Sequence, residues 1–206
     1  MSKQKTHHWS FHSLPLFILA IILTTSSITL AQQPVKLSTV LTTFLADAGV
    51  QTRGLPWTTA NALQVKWETE KPGAAAEVFQ RDGLTLRRAG KLRLAVEGSK
   101  PVDGYLEMFG NDIGIQRVQL NVNLDELPLE TAEKSLVADG IQLSPLKCNR
   151  KTEATSFGNL VYVMKAPGKI GTGLWEQWNC SAKECYGGFT IIYRKTELSK
   201  VECASQ

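Results

Sequence analysis

Apolar residues recur at Leu37, Val40, Leu41, Phe44, Leu45 and Ala48. That is the i, i+3, i+4 stripe of an amphipathic helix over residues 36–48. Ser38 is placed to cap its start and Gly49 to end it in a left-handed conformation. A second helix is read from Leu129, Ala132, Leu136 and Val137, which share a face. Asp125 and Glu126 precede it, Pro128 supplies a favoured first-turn residue, and Gly140 closes it.

Most of the remaining chain alternates apolar and polar positions. Residues 63–67, 76–79, 84–87, 92–96, 105–109 and 115–122 read as strands, as do 141–146, 160–164, 174–178 and 189–193. Ala89-Gly90 marks a hairpin between two of them, and Gly110-Asn111-Asp112 the next turn. Pro167-Gly168 and Gly187-Gly188 punctuate the last third. About nine strands, mostly antiparallel by their short connections, and two main helices define an α+β class. Both helices end in Gly, a β-branched residue and Gln: Gly49-Val50-Gln51 and Gly140-Ile141-Gln142. Residues 36–122 and 127–206 therefore read as a duplicated helix-then-sheet unit. The competing account is shared helix-ending chemistry, because Gly commonly closes a helix and a strand follows. The stretch Leu37-Ser38 through Val40-Leu41 and Phe44-Leu45-Ala46 to Ala48-Gly49-Val50 also resembles the helix of secretin and TonB-receptor N-terminal domains. That resemblance is common helix grammar and implies no function.

The N-terminus follows different grammar. Lys3 and Lys5 precede an apolar run over residues 14–23, then polar residues, then Thr29 and Ala31 at the −3 and −1 positions of a cleavage site. Residues 1–31 therefore read as a secretory signal, and residues 32–206 as a periplasmic or secreted domain. A run of about ten apolar residues is short of the roughly 20 needed to span a bilayer, so no integral span is expected in the mature chain. An uncleaved anchor is the alternative. All three histidines, His7, His8 and His12, fall in the leader. The mature chain then has none, which excludes Ser-His-Asp and Cys-His catalysis and His-ligated metal sites. No metal or cofactor is expected. The full chain carries a formal charge of +4. Losing Lys3 and Lys5 leaves acids and bases nearly balanced, so no nucleic-acid partner is expected.

Cys148, Cys180, Cys185 and Cys203 lie in the last third. An even count after export reads as disulfides. Cys180–Cys185 across a turn, with Cys148–Cys203, is favoured over the other two pairings. Zinc would want closer paired spacings, and redox chemistry C-x-x-C.

Candidate binding residues cluster at Arg81, Arg87, Arg88, Lys91 and Arg93. Leu84, Leu86, Leu92 and Leu94 take one strand face, which turns Arg87 and Arg93 to the other. Guanidiniums there are suited to phosphate, carboxylate or an acidic partner, unless they only cover a solvated sheet. Asp103 with Glu107, and Glu130 with Glu133, are the acids available for hydrolysis, but no spacing sets them across a cleft. Trp57, Trp67, Trp175 and Trp178 read chiefly as packing residues. Together these features favour an exported binding or interaction module, with an envelope protein or polymer as partner, over any enzyme. The alternatives are a histidine-free carboxylate hydrolase and a lipid or small-molecule carrier.

Overall fold

The alternation in the middle of the chain becomes three long strands. The computed structural model describes residues 32–46, 54–151, 158–178 and 185–193, with the backbone alone over 145–151, 158–162 and 172–178. All of them belong to one compact unit, Gln32–Gln206. The elements run β1 (Val35–Lys36), α1 (Leu37–Phe44), a 3-10 helix (Trp57–Ala62), β2 (Lys66–Trp67), β3 (Gly73–Ala74), α2 (Glu77–Gln80), β4 (Leu86–Ala95) and β5 (Val102–Asn111). They continue with β6 (Gly114–Asn123), α3 (Leu129–Ala138), β7 (Gln142–Lys151), β8 (Gly158–Ala166), β9 (Lys169–Trp178) and β10 (Tyr186–Ile192). The architecture is α+β and dominated by sheet, as the hydrophobic pattern predicts.

One sheet joins the strands in the order β1-β4-β5-β6-β10-β9-β8-β7, and β2 and β3 also pair with β4. Each of α1 and α3 precedes an antiparallel meander, β4–β6 in the first case and β7–β9 in the second. Strand β10 closes the two meanders into one sheet. Its Phe189 sits opposite Leu120 of β6 on one side and Trp175 of β9 on the other.

Gly90, Leu106, Leu120 and Phe189 form one cross-strand row. The helices cover that face. Leu37, Val40, Leu41 and Phe44 of α1 join Ala132 and Leu136 of α3 in the core. The stripe spacing that predicts α1 is therefore the set of residues it buries. Lys36 Nζ lies 2.8 Å from Asp139 Oδ1, and Ser38 Oγ donates to Asp139 Oδ2 at 2.6 Å. These contacts fasten the start of α1 to the end of α3. The buried Tyr193 hydroxyl donates to the Phe44 carbonyl at 2.5 Å, and burial pushes its pKa up.

Four local expectations are overturned. Residues 84–87 and 92–96 do not form a hairpin about Ala89-Gly90, because β4 runs unbroken through both. Gly90 serves close approach instead: a Cβ there would lie 2.6 Å from the Lys66 carbonyl oxygen. Residues 76–79 are not a strand. They belong to the short helix α2, whose Phe79 packs on Phe109 with ring centroids 4.2 Å apart. Helix α1 ends at Phe44 instead of residue 48, since Leu45 turns extended and buries itself. Its side chain fills the space a Cβ on Gly171 would need, 2.5 Å from Leu45 Cδ2. Ser38 does not cap α1 but binds Asp139. The closing glycine expected at position 49 lies outside the described residues. Gly140, at φ +83°, follows α3 as predicted.

Candidate functional site

The face of the sheet away from the helices carries the chemistry. On β4 it presents Arg87, Lys91 and Arg93; on β5, Asp103, Tyr105 and Glu107; on β6, Gln119, Asn121 and Asn123. Each alternates with a buried core residue, which is why these polar side chains share one side. Register then sets them in rows: Lys91 beside Tyr105 beside Asn121, and Arg93 beside Asp103.

Half of this face is knitted into a network. Arg87 Nε donates to Glu107 Oε1 at 2.9 Å, and its terminal nitrogen to the Tyr105 hydroxyl at 2.8 Å. Tyr105 in turn donates to Glu68 Oε1 at 2.5 Å, and Asn121 Nδ2 to Glu107 Oε2 at 2.8 Å. Burial works against the Arg87 charge, yet its bonds to Glu107 and Tyr105 hold its pKa above the ordinary value. Burial, reinforced by donation to Glu68, raises that of Tyr105. Such coupled polar contacts fix one another's geometry.

Next to the network is a groove of about 550 Å³. Lys66, Lys91 and Arg93 stand on its β2–β4 wall, and Asn121, Asn123 and Tyr186 on its β6–β10 side. Asp103 and Glu126 add negative charge at its edge. The volume falls in the range of roughly 300–1,000 Å³ usual for small-molecule sites. The lining side chains are mixed in charge, and the carbon stems and rings between their polar heads make up the larger part of its surface, so it offers hydrogen bonds and ion pairs beside apolar contact.

The five basic residues singled out from sequence are not one cluster. Arg81 caps the C-terminal end of α2, outside β4. Arg87 is satisfied internally by Glu107. Arg88 points to the other face of β4, where its guanidinium lies 4.2 Å from the Trp67 ring centroid and burial lowers its pKa. Lys91 and Arg93 reach the groove. Arg93 is engaged by the exposed Asp103 at 3.4 Å and by the Pro101 carbonyl. Side-by-side presentation of Arg87 and Arg93 therefore fails, because two strand positions of the same face, Ala89 and Lys91, separate them.

The groove residues that sequence reasoning missed are Lys66, Tyr105, Asn121, Asn123 and Tyr186. For Tyr105, Asn121 and Asn123 the signal was the strict polar alternation Asp103, Tyr105, Glu107 and Arg117, Gln119, Asn121, Asn123; Lys66 and Tyr186 lie outside it. Among the cysteines, Cys185 has a described side chain and is not a free thiol. Its carbonyl accepts the Leu124 amide at 2.7 Å, next to Tyr186 on the groove rim. Among the described residues, no group of three or more His, Cys, Asp or Glu side chains is placed to hold a metal ion. No helix among them is long and apolar enough to cross a membrane.

Compared with known proteins, the chain matches no family model, no curated protein sequence and no solved structure. The functional reading therefore rests on the geometry of this face.

Proposed function

We propose that the protein is an exported binding module of the cell envelope whose ligand seats in the groove on the open face of β4, β5, β6 and β10. The groove carries this reading: polar side chains from separate strands converge on it, and the Arg87–Glu107–Tyr105–Glu68 network fixes their geometry beforehand. Preorganised polar groups lose less entropy on binding. The leader-like residues 1–31 and a compact unit beginning at Gln32 support export. Disulfides Cys180–Cys185 and Cys148–Cys203 belong to the same reading. Cys185 supports the first, since it is not a free thiol.

The carrier alternative loses support, since core side chains such as Phe44, Leu106, Met108 and Phe189 fill the space between helices and sheet. Three of the four acids proposed for hydrolysis are held in ion pairs, Glu107 by Arg87, Asp103 by Arg93 and Glu130 by Lys134. The test is calorimetric screening of the exported protein against saccharides, peptides and phospholipid vesicles, each repeated with Tyr186→Ala. Binding that weakens in the variant is expected. Binding indifferent to every groove substitution would overturn the proposal.

A further inference from the structure

We infer that the groove ligand is an acidic saccharide, its anionic group held by Lys66 and Lys91. This rests on the groove being the binding site and adds the class of ligand. Lys66 and Lys91 are direct partners in the β2–β4 ladder, so their side chains leave the same face side by side. Like charges directly opposite each other weaken a sheet. Among the described residues neither ammonium takes part in an ion pair or side-chain hydrogen bond, and the carboxylates of Asp103 and Glu126 line the same groove without pairing with either. Arg87, two positions from Lys91 on the same face, shows the contrast, because carboxylates on neighbouring segments neutralise it. Arg93 adds a third cation on the same wall, held by an Asp103 whose side chain is 87% exposed. An incoming carboxylate or phosphate would supply the charge this wall lacks.

The far side of the groove calls for something other than a bare ion. Asn123, whose Oδ1 accepts the Asp125 amide, offers its amide nitrogen, and Tyr186, 38% exposed, offers an aromatic ring. An amide donor suits a sugar hydroxyl, and an exposed ring suits the apolar face of a pyranose. About 550 Å³ accommodates roughly one or two sugar rings. An anion at one end and a hydroxylated ring at the other fit this division.

The experiment is calorimetric titration of the full chain, purified after export, with four probes. They are a uronic acid disaccharide, its neutral counterpart, a sugar phosphate and inorganic phosphate. At least one acidic saccharide is expected to bind tenfold or more tightly than the neutral one, and less tightly as salt rises. The two acidic arms distinguish carboxylate from phosphate as the anchoring group. The double variant Lys66→Gln, Lys91→Gln is expected to lose about ten- to a hundredfold in affinity, while Lys165→Gln, outside the groove, binds as wild type. An unreduced melting temperature in the double variant separates this loss from unfolding. Equal binding of acidic and neutral disaccharides, sensitive to Tyr186→Ala, would overturn the anion site and leave the groove standing. Inorganic phosphate binding as tightly as the saccharides would overturn the sugar assignment. No binding by any probe would overturn the assignment of an acidic saccharide, and the broader screen with peptides and vesicles then decides the groove.

Discussion

A Cβ on Gly90 would meet the Lys66 carbonyl oxygen at 2.6 Å and Trp67 Cα at 2.9 Å, and backbone cannot swing aside as a flexible side chain can. Gly90→Ala is therefore expected to cost about 1–3 kcal/mol, as overpacking does, measured by urea denaturation, and to displace Lys66 from the groove wall. Lys91→Gln acts in the opposite direction. Removing one of two facing ammoniums is expected to leave stability unchanged or raise it by up to about 1 kcal/mol, while ligand binding weakens. Arg87→Met is expected to cost about 1–3 kcal/mol in the same denaturation measurement, because it removes the cation paired with the partly buried Glu107 and leaves that carboxylate its neutral Asn121 donor. From sequence, Arg87 and Arg93 look interchangeable on one exposed strand face. They differ because Glu107 and Tyr105 are placed by β5, which sequence does not pair with β4 in register. Gly90 misleads for a related reason: a glycine needed for room and one needed for a turn look the same until the neighbouring segment is known.

Among the elements, α1 and α3 were the most legible, since their buried stripes are set by local spacing, although Val137, placed on the α3 stripe from sequence, is 61% exposed. Their ends were less so. The end of α1 depends on Leu45 finding its seat against Gly171, a contact remote in sequence. The tie between the helices was not visible at all, because Ser38 looked like a cap. Hydrogen bonds from Lys36 and Ser38 hold Asp139 below the usual carboxylate range. A depressed folded pKa means that its contribution is complete above the ordinary aspartate value and is lost as pH falls through the depressed one. Asp139→Asn is therefore expected to lower the melting temperature at neutral pH and to reduce its decline toward about pH 3. Parallel acid limbs in the two proteins would show that this contact does not couple the helices.

At the level of the whole molecule, the α+β class and most strands followed from alternation, but the order of the sheet did not. Nothing local announces that β10 returns to β6. The helix endings suggest a duplication of residues 36–122 and 127–206, yet the short strands β1, β2 and β3 that flank β4 have no counterpart among the described residues of the second half. The two helix-then-meander runs nevertheless share an order of elements. Strand β7 forms the far edge and carries Pro145, an irregular register between Pro145 and Asn149, and the basic residues Lys147, Arg150 and Lys151. These are devices that discourage strand addition. The proposed export predicts that alkylation of the unreduced protein labels none of the four cysteines; labelling of any would contradict the disulfide reading.

The central claim is that ligands seat on the open face over β4, β5, β6 and β10. Amide chemical-shift mapping of the exported protein during titration with a uronic acid disaccharide tests it most directly. The largest changes are expected at Lys66, Lys91, Arg93, Tyr105, Asn121 and Tyr186. Changes centred on α1 and α3 or along β7 would contradict it.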